Sequence, residues 1–287
     1  MSEPALWVVA TPIGNLADIT LRALQVLKDA DLVLAEDTRR TGVLLRHHGI
    51  DGKLESFHAH SSEEKIDKLV ARLDGGAILA LVSDAGTPVI SDPGVRLVAA
   101  ARAAGHEVST APGPSAILGA LSIAGLRADR FVFLGFLPRS AGKRRTEVAA
   151  IAARREASVL FESPQRLAAL LEEMAAQLPE RQVAVCRELT KRFEETTRGT
   201  PAELLERFAD GTKGEITVVV EAVASVAPEL SEEDFESFVQ EALDGGERVK
   251  AVAKALAKRS GLSGSEAYER VLAIRDGASV RDSDAEP

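Results

Sequence analysis

The 287 residues carry a net charge of −9 with 45% apolar and 28% charged side chains, the balance of an ordinary folded domain rather than a disordered or fibrous chain. No apolar run approaches the roughly 20 residues of a membrane span, and the lone Cys186 rules out an internal disulfide framework. The opening MSEPALWVVA has no basic segment before its apolar run, so no signal peptide is expected and a cytoplasmic location is.

Residues 6–10 read as a first strand, followed by the loop TPIGN, and Asp18 is expected to cap a helix over 19–28. A second strand at 31–35 ends in Glu36-Asp37-Thr38-Arg39-Arg40. A short strand at 53–57 precedes His58-Ala59-His60, and Ser61 with Glu64 reads as a capping box. Residues 78–82 are apolar at five consecutive positions, the pattern of a strand buried on both faces. Ser83-Asp84-Ala85-Gly86-Thr87 follows. Further on, Asp92 is expected to cap the next helix and Pro93 to sit in its first turn. A strand at 107–111 and the loop Pro112-Gly113-Pro114-Ser115 lead into a helix ending near Gly125. This repeated strand–helix pattern predicts an α/β domain over 1–125 with a mostly parallel sheet. All five polar loops follow strands, so they are expected along one sheet edge, where open α/β sheets bind ligands.

Residues 126–129 break the composition and read as a linker to a second α/β domain over 126–226. Its strands are expected at 131–137, 158–161, 182–189 and 215–223. Ser163-Pro164 and Thr200-Pro201 open helices, and 190–199 is a polar connection or hairpin arm. Cys186 sits mid-strand in VAVCREL and reads as packed rather than nucleophilic. A small helical domain is expected over 227–275, where 249–272 read as a helix-turn-helix-like hairpin, and a disordered tail from 276.

The negative net charge hides basic patches. Arg139, Lys143, Arg144, Arg145, Arg154 and Arg155 face only Glu147 and Glu156 within their segment, and Lys250, Lys254 and Lys258 fall on one helix face. Several chemistries fail on spacing. There is no GxxxxGK[ST] loop, the first loop has one glycine rather than GxGxxG, and Gly113-Pro114-Ser115-Ala116-Ile117 lacks the last glycine of a nucleophile elbow. His58 and His60 have no third and fourth metal ligands beside them, so no metal is expected.

TPIGNLADIT, LAEDTRRTGVLLRHHGI, LVSDAGTPVISDPG, APGPSAILGAL, FLGFLPR, FESPQRL and RELTKRFEETTRGT run in order from about Trp7 to Glu221. Together they resemble the tetrapyrrole-methylase-like class of S-adenosylmethionine-dependent methyltransferases, and within it the branch acting on small-subunit ribosomal RNA. The resemblance implies two α/β domains with the cofactor between them, a small extra domain, and a homodimer. It also implies methyl transfer to the ribose 2′-oxygen of a decoding-region cytidine in 16S ribosomal RNA.

On this reading Ser83, Asp84, Ala85, Gly86 and Thr87 meet the cofactor, Gly86 allowing close backbone approach, and Ser115 offers a helix's first turn. By resemblance Pro12 borders the same cleft, and Leu134, Leu189 and Thr217 face it from the second domain, although Leu134 and Leu189 also read as core. Lys191 and Glu188 are the catalytic candidates. Lys191 needs a depressed pKa to act as a base; alternatively, Lys191 and Arg187 hold RNA phosphates. Arg39, Arg40, His58, Arg139, Lys143, Arg144, Arg145 and Arg187 are the RNA-contact candidates. A small-molecule methylase and a non-catalytic ribosome-assembly factor are the competing readings.

Overall fold

The computed structural model describes residues 4–58, 60–88, 94–223, 232–260 and 262–276, with backbone only at 232–233 and 258–260. The expected roles of Asp92 and Pro93 and the tail from 277 onward lie outside the described residues. Five strands build the first sheet: β1 (Leu6–Val9), β2 (Leu32–Ala35), β3 (Leu54–Ser56), β4 (Leu79–Val82) and β5 (Val108–Ala111). Their order is β3-β2-β4-β1-β5, all parallel. Every residue of β2 and β4 is buried, because helices cover both faces of a parallel sheet.

Between the strands lie α1 (Leu21–Asp29), α2 (Thr38–His47), α3 (Glu63–Asp74) and α4 (Gly94–Ala103). Two caps differ from the sequence reading. Asp18 belongs to a short 3-10 turn, and Thr20 caps α1 by accepting from the Ala23 N–H. Ser62, not Ser61, caps α3, while the Ser61 hydroxyl accepts from the His58 N–H. The 3-10 turn before α1 is capped by Asn15, whose side chain accepts from the Ala17 N–H.

The second sheet contains β6 (Phe131–Phe136), β7 (Ala157–Glu162), β8 (Val183–Arg187), β9 (Glu195–Gly199) and β10 (Ile216–Val220), in the order β6-β7-β10-β8-β9. Only β6 and β7 are parallel; β10 runs against both its neighbours. The polar arm at 190–199 therefore becomes an edge strand. Helices α6 (Ala141–Ala153), α7 (Pro164–Gln177) and α8 (Pro201–Arg207) cover one face. Leu167, Leu170, Leu171 and Met174 recur along α7 at helical spacing and are fully buried, each stabilising by roughly 1.5–3 kcal/mol.

The other face is covered by α5 (Ala116–Ile123), which follows β5 of the first sheet. Its Ile117 and Ala120 pack with Val159, Ala184, Cys186 and Val219. Burial pushes the Cys186 thiol up in pKa, as suits a packed side chain. Both sheets accordingly fall within one compact unit, Met1–Val223.

A second unit, Ala224–Pro287, holds α9 (Glu232–Asp244), α10 (Val249–Ser260) and α11 (Gly264–Arg275). They close over Phe235, Val239, Val252, Leu256, Ala267 and Val271, and Arg270 lies over the Phe235 ring. Ser263 and Glu266 form a capping box at α11, and Lys250 and Lys254 stand exposed on α10. Among the described residues no helix is long and apolar enough to cross a membrane.

Candidate functional site

The strand order decides which loops meet. Because β4, β1 and β5 are neighbours, the loops Ser83–Thr87, Thr11–Asn15 and Pro112–Ser115 lie side by side at their carboxyl ends. Thr11 and Gly86 form an antiparallel bridge, each N–H donating to the other's carbonyl at 2.9 and 3.0 Å. The Thr11 hydroxyl donates to the Ser83 carbonyl at 3.1 Å, and that of Thr87 to the Pro114 carbonyl at 3.4 Å. Gly86 has φ +77°, a backbone that favours glycine. Its N–H is already engaged by Thr11, so the close approach expected there involves its missing side chain rather than a free amide. Ser115 is the N-cap of α5 rather than a first-turn residue, and its hydroxyl accepts from the Leu118 N–H.

These loops face the second sheet across a cleft of about 420 Å³, within the range of a single small-molecule site. Ile13, Ala85, Gly86, Thr87, Ser115 and Ile117 line one wall. Phe136, Phe161, Glu162, Ser163, Gly214, Glu215, Ile216 and Thr217 line the other. The lining is apolar over most of its area, with polar groups at the loop tips. The Glu162 side chain is fully buried: its Oε1 accepts from the Ser163 N–H and lies 3.2 Å from Arg166 Nε, while its Oε2 has no partner among the described residues.

Not every cofactor candidate enters this cleft. Pro12, Ser83 and Asp84 line a smaller neighbouring one with Arg40 and Thr41. There the Asp84 carboxylate accepts from the Asp37 N–H at 2.9 Å and pairs with Arg40 at 3.4 Å, tying the start of α2 to the β4 loop. Leu134 packs against the α6–α7 core, and Leu189 is buried against α5.

Across the β8–β9 connection the backbone is unusual. Glu188 at φ +52° and Thr190 at φ +64° are the non-glycine residues with left-handed backbone among those described. Such conformations persist only where surrounding contacts hold them. The Thr190 hydroxyl accepts from the Asn15 N–H at 3.1 Å, and a Cβ on Gly14 would lie 3.0 Å from both that oxygen and the Leu189 carbonyl while colliding with Lys191. Gly214, at φ +91°, leaves room for the Glu188 side chain, whose carboxylate accepts from the Glu215 N–H at 3.0 Å and from Lys191 Nζ at 2.8 Å. Lys191 Nζ also reaches Glu215 at 3.0 Å. Glu188 and Lys191 thus clamp the Gly214–Glu215 rim of the cleft.

The electrostatics correct one expectation. Burial draws the Lys191 ammonium down, but its bonds to Glu188 and Glu215 outweigh that and hold its pKa above the ordinary value. The depressed pKa that base catalysis requires is not met here. The Lys191 hydrogen bond, followed by the Glu215 N–H, holds the Glu188 carboxyl below its usual range. Glu188 therefore stabilises fully above its ordinary value of 4.5, and this is lost as pH falls through the lower folded value; Lys191 stabilises fully below 10.5, losing this as pH rises through its raised one. The melting-temperature gap between the wild type and Glu188→Gln should stay level from about pH 5 to 10 and shrink below about pH 4. A gap that grows on acidification would show that the clamp does not carry this charge.

The basic candidates scatter. Arg39 is 89% exposed and pairs with Asp37, whose carboxyl its hydrogen bonds hold at about 2. Arg40 meets Asp84. His58 stands exposed beyond β3, at the sheet's far edge from β1 and β5. Arg139 and Lys143 are exposed at the start of α6, Arg144 is half-buried, Arg145 pairs with Glu173, and Arg187 pairs with Glu195 at 2.8 Å. Among the described residues no cluster of three or more His, Cys, Asp or Glu is placed to hold a metal ion. Phe136, Phe161, Glu162, Gly214 and Glu215 line the cleft without having been singled out; the glycine inside the strand run Phe133-Leu134-Gly135-Phe136 was a usable signal.

The family model for Tetrapyrrole (Corrin/Porphyrin) Methylases matches residues 5–205. A Ribosomal RNA small subunit methyltransferase I of Escherichia coli O157:H7 is 50% identical over 177 residues, covering 62% of each chain. The protein of that name from Mesorhizobium japonicum is 52% identical over 176 residues, covering 61% of this chain and 60% of its own. The matched region thus spans about three fifths of these curated relatives. A crystal structure of diphthine synthase superposes with a TM-score of 0.59 at 17% identity, covering 75% of this chain and 89% of that one. Uroporphyrin-III C-methyl transferase from Thermus thermophilus, complexed with S-adenyl homocysteine, gives 0.53 at 18% identity, covering 75% and 96%.

Proposed function

The chain belongs to the tetrapyrrole (corrin/porphyrin) methylase family, and from that premise we propose that it is an S-adenosylmethionine-dependent methyltransferase of small-subunit ribosomal RNA. Its acceptor is the ribose 2′-oxygen of a decoding-region cytidine in 16S ribosomal RNA, and it works as a cytoplasmic homodimer. The observation that carries this reading is the cleft joining Gly86–Thr87 and Ser115 to Gly214–Thr217, with a basic surface beyond Phe136. The identity of about 50% to enzymes named for small-subunit ribosomal RNA supports that RNA as the substrate, while the 2′-oxygen and the cytidine follow from the sequence resemblance.

The cleft suits the cofactor chemically. Ile13, Ile117, Phe161 and Ile216 offer apolar walls for a nucleoside, Ser115, Thr87 and Thr217 offer polar edges, and the orphaned Glu162 Oε2 is an acceptor awaiting a donor. When bound, S-adenosylmethionine supplies a sulfonium methyl group that an oxygen nucleophile can take in line. Such a transfer demands alignment, which can lower a barrier by roughly 7–11 kcal/mol, more than the 10²- to 10⁴-fold of a positioned base. Glu188 and Lys191 then serve by holding the Glu215 rim in place. Ser83 and Asp84 fix the β4 loop from behind, and Pro12 lines the smaller cleft beside it.

Among the basic candidates, Arg139 and Lys143 are exposed and have no ion partner among the described residues, and they are the leading phosphate contacts. Arg39, Arg40, Arg144, Arg145 and Arg187 are engaged or half-buried, and with His58 they play a lesser part.

Labelled cofactor should be offered with free RNA, isolated small subunits and a tetrapyrrole, followed by mapping of the product. The expected result is one 2′-O-methylated cytidine in small-subunit RNA, with the salt slope of RNA affinity reduced by about 1.5–2 in Arg139→Gln/Lys143→Gln. Methylation of the tetrapyrrole alone, or no cofactor binding by calorimetry, overturns the reading. Light scattering tests the dimer.

A further inference from the structure

One aromatic ring stands at the mouth of the cleft because of an irregularity in β6. Phe133 pairs with Val159 and Phe136 with Phe161, so β6 advances three residues while β7 advances two. The extra residue is a bulge, and Gly135 at φ +63° supplies the backbone turn it needs. Strict alternation would send Phe133 and Phe136 to opposite faces of the sheet. The bulge instead brings both onto the face of Phe161, with ring centroids 4.9 and 5.7 Å from it. Phe136 nevertheless remains 62% exposed. A bulge that re-aims a large apolar side chain toward solvent gains nothing for the core.

The location of the ring gives it a use. Phe136 and Ser163 line both the 420 Å³ cleft and an adjoining open groove of about 700 Å³. Leu137, Pro138, Arg139 and Arg166 form other parts of that groove. Arg166 is held as a fixed wall, donating from Nη2 to the Leu137 carbonyl at 2.6 Å and lying against Glu162. Arg139 is exposed and has no ion partner among the described residues. A cleft of this volume suits one small molecule, and an acceptor nucleotide that approaches along the groove passes the ring.

We propose that Phe136 is the platform on which the target base stacks after it swings out of the RNA, with Arg139 meeting a neighbouring phosphate. The inference rests on the reading of the chain as an RNA 2′-O-methyltransferase and adds the residue that positions its acceptor. Single-stranded recognition characteristically combines an aromatic face with a cationic groove. An exposed ring can be removed at little cost to the core, which keeps the test clean.

The experiment compares wild type, Phe136→Ala and Phe136→Trp for methyl transfer to small subunits, for RNA affinity, and for S-adenosylmethionine affinity by calorimetry. Phe136→Ala should lower kcat/KM for RNA by about 5- to 150-fold, the effect of one lost base stack, and weaken RNA binding. Cofactor affinity should stay within about twofold, and Phe136→Trp should restore most of the loss. Unchanged kcat/KM in Phe136→Ala, with an active wild type, overturns the platform and leaves the function standing. A loss confined to cofactor affinity makes the ring a cofactor wall instead, and a dimer falling to monomer makes it a contact between copies; either result overturns the proposal. A wild type inactive on every RNA removes both readings together.

Discussion

Gly214→Ala is expected to lower the melting temperature by about 5–15 °C and to cut methyl transfer at least tenfold. Two separate costs add at this position. A side chain at φ +91° is disfavoured, by roughly 1–2 kcal/mol for left-handed backbone. The new Cβ also collides with Glu188 Cγ, Cδ and Oε1, so the carboxylate has to leave. It then gives up charge-assisted bonds to Lys191 and the Glu215 N–H, each worth about 1.5–3 kcal/mol when fully formed and less here, where both side chains are partly solvated. The total is about 2–4 kcal/mol, and a domain of this size loses about 2–4 °C per kcal/mol. A double-mutant cycle separates the two costs. Glu188→Ala removes every atom that the new Cβ would strike, so Gly214→Ala/Glu188→Ala should be less destabilised than the sum of its singles. Additive losses measured by thermal denaturation would mean that Gly214 matters for its backbone alone and that the clamp is a bystander.

That coupling was out of reach of the sequence, and the reason is distance along the chain. Gly214 and Glu188 are brought together by β10 pairing antiparallel with β8, a choice that the β-branched run at 215–223 does not encode. The strands themselves were legible, because Leu79–Val82 is apolar at every position and Ile216–Val220 at every position but Thr217, and such runs have few alternatives to full burial. The one-sided disposition of the loops was legible too, since each follows a strand. What could not be read was the order β3-β2-β4-β1-β5, which gathers TPIGN, SDAGT and PGPS while leaving His58 at the far edge. The pairing of Arg145 with Glu173 and of Arg187 with Glu195 was hidden for the same reason: a run of basic letters does not show which of them already have partners. Helix α5 illustrates the limit best. Its sequence follows the first series of strands, yet Ile117 and Ala120 cover the second sheet.

Gly86→Val is expected to weaken S-adenosylmethionine binding at least a hundredfold while the protein stays folded. Sterics alone do not forbid one methyl group: an added Cβ would sit 3.4 Å from Ile13 Cγ2 and 3.7 Å from the Pro114 carbonyl, ordinary contact distances. Gly86→Ala should therefore show mainly the backbone cost of φ +77°, roughly 1–2 kcal/mol of stability, with a smaller effect on the ligand. Valine differs because its two further methyls have to go somewhere. Beside Gly86 the space is the cleft itself, bounded by Ile13, Thr87 and Ser115, so the branch displaces ligand rather than protein. The paired bonds between Thr11 and Gly86 hold the loop in register, and for that reason the damage should appear in affinity more than in melting temperature. Calorimetric titration of the alanine and valine variants distinguishes the two costs by their order. If both lose stability equally and bind the cofactor like wild type, Gly86 serves only the turn, and the donor lies elsewhere than against the β4 loop.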